Sequence, residues 1–121
     1  RWRETQAMSD DVPRILHLIA EADWEAAQSS GAIAPASLEE EGFVHCCTDV
    51  QLLGVVERFY AGRTDLLALE IVPALLGVEL RWEAPSHPDG STNTGAEAAQ
   101  LFPHVYGPIP STAVAAAHRL T

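Results

Sequence analysis

A chain of 121 residues and 13.0 kDa is the size of one domain, and 47% hydrophobic residues suffice for a core that needs no staples. Seventeen acidic residues against seven basic ones leave a net charge of −10. That field repels large nucleic acids and anionic membrane surfaces, although a local basic pocket can still hold one small anion.

The two cysteines, Cys46 and Cys47, are adjacent. Neighbours on a strand point to opposite faces, so they are not expected to bridge, which fits a reducing cytoplasm. No apolar run approaches the roughly 20 residues that a membrane-spanning helix needs, and no basic leader followed by an apolar stretch precedes the domain. Met8-Ser9-Asp10-Asp11 looks like a native start. Residues 1–11 are therefore expected to be a disordered or added extension, and residues 12–121 a single domain.

Residues 14–19 are apolar on both faces and β-branched at both ends, which predicts a short buried strand. Residues 21–30 follow as a helix, with Trp24 and Ala27 on one side, Glu21 and Glu25 on another, and Gly31 at the exit. A loop is expected over 35–41, its three glutamates forming a solvated surface. Residues 43–46 predict a second strand. Thr48-Asp49-Val50-Gln51 is a capping-box pattern that opens a helix carrying Leu52, Val55, Val56 and Phe59 at core spacing and stopping near Gly62. Helix onset so close to His45 would favour an anionic ligand there.

Residues 66–72 form a nearly continuous apolar run ended by Pro73, the strongest strand signal in the chain. Residues 78–83 alternate, with Val78, Leu80 and Trp82 on one face and Glu79, Arg81 and Glu83 on the other. Residues 84–100, rich in Pro, Gly and small polar residues, predict a long loop able to flap over a site. Strands are expected again over 102–106 and 114–120. The sum is an α+β domain with two short helices.

Three histidines lie within apolar segments: His17, His45 and His104. An imidazole is a proton donor or acceptor suited to a poorly solvated pocket, so the three are candidates for one shared acid–base site. In strand conformation His17 shares a face with Ile15 and Ile19, and His104 shares one with Phe102 and Tyr106; packing these two strands side by side would join the imidazoles. Each is equally a core histidine with one hydrogen-bonded nitrogen. His87 and His118 read as surface residues. Arg81 between Glu79 and Glu83 is either a cross-strand salt-bridge ladder or a guanidinium held ready for phosphate or carboxylate. Glu83 beside Trp82 is a carboxylate poised by partial burial, Glu70 is expected paired or outward, and Arg63 reaches toward the same region. Zinc motifs supply ligands close together, and these candidates lie far apart, so no metal is expected. A cysteine nucleophile paired with histidine is the minor alternative to small apolar filler.

The series Arg14-Ile15-Leu16-His17-Leu18-Ile19, Trp24, Gly42-Phe43-Val44-His45-Cys46, Arg58-Phe59-Tyr60, Arg81-Trp82-Glu83 and Phe102-Pro103-His104-Val105-Tyr106-Gly107-Pro108 resembles the DUF952 family over nearly all of residues 14–120. The resemblance implies an ADP-ribosyltransferase-like fold, with two small, mostly antiparallel sheets split around an NAD-binding cleft. It places His17 against the nicotinamide ribose and His45 on a second cleft strand. It puts His104 where the superfamily's usual glutamate grips the ribose 2′-hydroxyl. Family members usually carry Ser-Thr after the first cysteine, where this chain has Cys47-Thr48. The expected activity is binding of NAD or a related small nucleotide and transfer or hydrolysis of an ADP-ribosyl or phosphoryl group. His17, His45 and His104 would be catalytic, and His17, Arg81, Glu83 and Tyr106 would hold the nucleotide. The alternatives are a non-catalytic ligand-sensing module with the same cleft, or a metal-dependent histidine enzyme.

Overall fold

A computed structural model describes residues 14–84 and 101–120. The expected extension over 1–11, the body of the expected loop over 84–100 and His87 lie outside them.

Strand β1 (Ile15–Ala20) runs antiparallel between β5 (Leu66–Ile71) and the short β4 (Cys47–Thr48), and β9 (Val114–Arg119) pairs on the far side of β5. This four-stranded sheet has apolar packing on both faces, which is why β1 and β5 carry so little alternation. One face presents Ile15, Ile19, Leu67, Leu69 and Ile71 to a core shared with Val44, Val105 and Ile109. The other presents Leu16, Leu18, Cys47 and Ala68 to helix α3 (Leu52–Phe59).

A second sheet, in the order β3-β7-β6, holds β3 (Val44–His45), β7 (Phe102–Tyr106) and β6 (Glu79–Glu83), all antiparallel. A two-stranded ribbon of β2 (Ala32–Ile33) and β8 (Ile109–Pro110) completes the architecture. The α+β class expected from the sequence is present, with three small sheets among the described residues where two were expected. The extra ribbon is only two residues long on each side, too short to leave a periodic signal.

Among the described residues there are three α-helices where two were expected. Helix α1 (Glu21–Ser30) ends at Gly31, whose left-handed φ of 96° lets its N–H return to Ala27 O. The expected loop over 35–41 is instead helix α2 (Ala36–Glu41), begun after Pro35 and ended by Gly42 at φ 93°. A single helical turn and a half lies below the length at which hydrophobic periodicity can be read. The reciprocal bonds of the capping-box pattern form, Gln51 Oε1 accepting from Thr48 N at 2.9 Å and Thr48 Oγ1 from Gln51 N at 3.2 Å, but they close the turn before the helix, which begins only after Gln51. Gln51 also donates to Leu101 O, tying the start of α3 to the chain entering β7. Of the apolar face expected on α3, Leu52, Val55 and Val56 pack on the sheet, whereas Phe59 is 48% exposed. It occupies the last residue of the helix, with the Arg58 guanidinium 5.5 Å from its ring centre. Trp82, on the face of Val78 and Leu80, is 40% exposed because β6 is an edge strand and Trp82 lies near its end.

The decisive local feature is Cys46. The chain leaves one sheet at His45 and enters the other at Cys47, so residues 44–48 stitch the two sheets together. Cys46 N bonds to Pro103 O on the β7 side, while Cys47 pairs with Leu16 of β1. β4 ends its pairing with β1 at Leu16, and the next β1 residue, His17, stands where the two sheets part.

Candidate functional site

β1 and β7 belong to different sheets, so the side-by-side packing expected for them does not occur. The three histidines meet by another route, through β3. His45 is directly opposite His104 in the β3–β7 register. Their ring centroids are 5.5 Å apart with the planes nearly perpendicular. His17, reaching from β1, bonds through Nδ1 to His45 O at 2.8 Å. A carbonyl only accepts, so His17 carries its proton on Nδ1 and keeps a lone pair on Nε2. Burial holds its pKa below the ordinary imidazole value, with the neighbouring His45 adding to the effect and the bond to His45 O opposing it.

Two of the imidazoles have a carboxylate each. Glu41 Oε2 lies 3.0 Å from His45 Nε2. That contact depends on Gly42: its left-handed backbone closes α2 by bonds to Leu38 O and Ser37 O and turns the chain back, so the last glutamate of the helix meets a histidine four residues on. Glu83 Oε1 accepts from His104 Nδ1 at 2.8 Å and from Tyr106 Oη at 2.6 Å. Glu83, Arg81 and Glu79 share a face of β6, and antiparallel pairing sets Arg81 opposite His104 and Glu79 opposite Tyr106. Arg81 is clamped by Glu79 through Nε and Nη2, each at 2.9 Å, and its guanidinium carbon sits 4.3 Å from the centre of the Tyr106 ring.

The charges follow from these contacts. Hydrogen bonds from Tyr106 and His104 hold the Glu83 carboxyl below the usual range, and the same bond pushes the Tyr106 phenol up. His104 is lowered by burial, with Glu83 opposing that shift and His45 adding to it. Phe43 stacks on His104 at 4.1 Å with planes 20° apart, and its centroid lies 4.8 Å from His45 and 5.3 Å from Tyr106. One aromatic ring thus fixes three members of the cluster.

His17, His45, His104 and Glu41 line a cleft of about 1550 Å³ that also runs past Phe102 and Tyr60. Arg81, Glu83 and Tyr106 do not line it; they stand behind His104. The arginines on the cleft wall are Arg58 and Arg63, and Arg63 is forked onto Asp65 at 2.8 Å through both Nε and Nη2. Glu70, the acidic residue inside the apolar run, pairs with His118 at 2.6 Å on the outer strand. Cys46 and Cys47 are free and buried on opposite sides of the sheet. Burial pushes the Cys46 thiol well up, and burial with the nearby Asp49 charge pushes Cys47 up to about 12, so neither is an activated nucleophile. Among the described residues no three His, Cys, Asp or Glu side chains group as metal ligands. Glu41 and Phe43 were not singled out as site residues by sequence reasoning. The Glu-Gly-Phe-Val-His spacing signals Glu41 only once 36–41 is known to be helical.

The class defined here is a small α+β domain with a cleft walled by carboxylate-paired histidines. The family model described as a protein of unknown function, DUF952, matches residues 18–117, and the chain belongs to that family. His45, Arg81, Glu83, His104 and Tyr106 fall within the matched span and His17 one residue before it. The chain is similar to the crystal structure of protein CC0527 from Caulobacter crescentus, with a TM-score of 0.71 and 26% identity over 89% of this chain and 86% of that one. The solution NMR structure of CC0527 shares the fold at a TM-score of 0.65, with 22% identity over 88% and 84% of the two chains. No curated protein matches the chain. Among the described residues no helix is long and apolar enough to cross a membrane.

Proposed function

We propose that this cleft binds NAD or a related small nucleotide, in an arrangement like that of ADP-ribosyltransferases, and that its histidines transfer or hydrolyse an ADP-ribosyl or phosphoryl group. The observation that carries the reading is the convergence of His17, His45 and His104 on one wall, two of them backed by carboxylates. The residues present suit such a ligand. The cleft is roomy enough for a dinucleotide, Phe102 and Tyr60 offer surfaces for a base, and Arg58 and Arg63 offer positive charge for phosphate. Arg81, expected to hold phosphate, does not line the cleft, so the phosphate role passes to Arg58 and Arg63 on its wall.

A bound nucleotide supplies the glycosidic or phosphoester bond to be broken. His17 Nε2 accepts a hydrogen bond from a ribose hydroxyl. His104, neutral through burial, takes a proton from the attacking hydroxyl or water. His45, the most exposed of the three and paired with Glu41, returns a proton to a leaving oxygen when a phosphoester bond is broken, whereas nicotinamide leaves NAD neutral and takes none. Two buried, unbridged thiols support a cytoplasmic setting.

Calorimetric titration with NAD, ADP-ribose and nicotinamide tests the reading. Heat is expected with at least one of them, and product by chromatography on longer incubation. A folded protein that gives no heat with any of the three overturns the proposal, and binding without product makes the domain a ligand-sensing module.

A further inference from the structure

Glu83 is only half-buried and off the cleft wall, yet one of its oxygens accepts two short hydrogen bonds, from Tyr106 at 2.6 Å and from His104 at 2.8 Å. We propose that Glu83 is a positioning residue that fixes the tautomer and orientation of His104, with Tyr106 and Arg81 holding Glu83 in place; the catalytic consequence rests on the reading of the cleft given above.

The geometry leaves His104 one way to act. Its Nδ1 faces a carboxylate oxygen at 2.8 Å, and a carboxylate only accepts, so the proton sits on Nδ1. The lone pair is then on Nε2, at the opposite edge of a ring that itself lines the cleft. Phe43, stacked on the ring, prevents it from rotating to offer Nδ1 instead. The carboxylate is aimed in turn. Tyr106 donates to the same oxygen at 2.6 Å, and the Arg81 cation, locked to Glu79 and lying over the Tyr106 ring, keeps that phenol from swinging away. Glu79, Arg81, Glu83, His104 and Tyr106 sit on adjacent antiparallel strands, so the backbone register of β6 and β7 sets their arrangement. A carboxylate behind an imidazole both selects the useful tautomer and stabilises the imidazolium formed when a proton is taken up. Where transition-state charge on a sugar is positive, this pair also supplies the negative charge that a neutral imidazole alone lacks.

The groups facing His104 are Glu83, Tyr106 and Arg81 on the β6–β7 side and His45 and Glu41 on the β3 side, so its titration reports the sum of these. Removing Glu83 deletes the contact that raises it.

Long-range ¹H–¹⁵N correlation spectra of the free protein provide a readout that needs no ligand. In the unsubstituted protein at pH 7.5, His104 is expected protonated on Nδ1 and bare on Nε2. In Glu83→Ala the Nδ1-protonated form should become the minor one. In Glu83→Gln, which keeps an acceptor but not the charge, the tautomer should be largely retained while the His104 titration midpoint moves down. Turnover of a nucleotide that binds should fall roughly 10- to 100-fold in Glu83→Ala, with KM changing less than about 2-fold. An Nε2-protonated His104 in the unsubstituted protein, or an unchanged tautomer in Glu83→Ala, overturns the proposal, and the first of these decides even if the variant fails to fold. Absence of any nucleotide binding would remove the functional reading and leave the tautomer result standing, so the two failures are distinct.

Discussion

His45 and His104 face each other across the β3–β7 pair with ring centroids 5.5 Å apart, and each has a carboxylate on its other side, Glu41 for the first and Glu83 for the second. The neighbouring His45 adds to the burial that lowers the His104 pKa, so the two rings are coupled and belong to one site.

Replacing either histidine should therefore cost nearly as much as replacing both. His45→Gln and His104→Gln are each expected to lower turnover by about 10² to 10⁴. The double variant should fall little further, because the residues act as a unit. Steady-state rates on the nucleotide identified by titration check this, and multiplicative losses would show independent roles.

Phe43 touches His45, His104 and Tyr106 and is almost wholly buried. Phe43→Ala is expected to cost about 3–5 kcal/mol in urea unfolding, in the range for losing a buried aromatic ring. A loss under about 1 kcal/mol would mean that the stack on His104 contributes little packing.

Stability should fall as the solution is acidified from pH 7.5 toward 5.5. His17 and His104 both have native pKa values lowered from 6.5 by burial. The unfolded chain therefore binds more protons than the native one in this window, and the unfolding free energy rises with pH across it. Glu83, held below 4.5, adds a further loss in the same direction at still lower pH. Urea midpoints across the range measure the slope; a flat or inverted profile between pH 5.5 and 7.5 would contradict the neutral, buried state of these two rings.

The thiols should be silent in the native protein. Cys46 and Cys47 are buried and their pKa values are raised, so alkylation at pH 8 is expected to be at least about 10²-fold slower than in the urea-unfolded chain. Rapid labelling of the folded protein would instead reveal a reactive cysteine beside His45.

Periodicity and local chemistry carried the reading a long way. The apolar runs at β1 and β5, the alternation along β6, the capping box before α3 and the glycine at the end of α1 are all encoded within a few residues, and each forms. The short elements escaped, because α2 and the β2–β8 ribbon are stabilised by packing rather than by any repeat of their own.

The candidate residues were legible as histidines in apolar surroundings, since an imidazole in such a segment stands out against its neighbours. Which groups they meet was not legible. His17 finds the carbonyl of His45 across 28 residues and His104 finds Glu83 across 21, and both pairings exist because the chain crosses between sheets at Cys46 and because β6 pairs with β7 in one register. A shift of one residue in that register would turn Glu79, Arg81 and Glu83 to the other face. Side-chain identity is local and can be read along the chain, whereas hydrogen-bond partners follow from strand order and register, which the core selects as a whole.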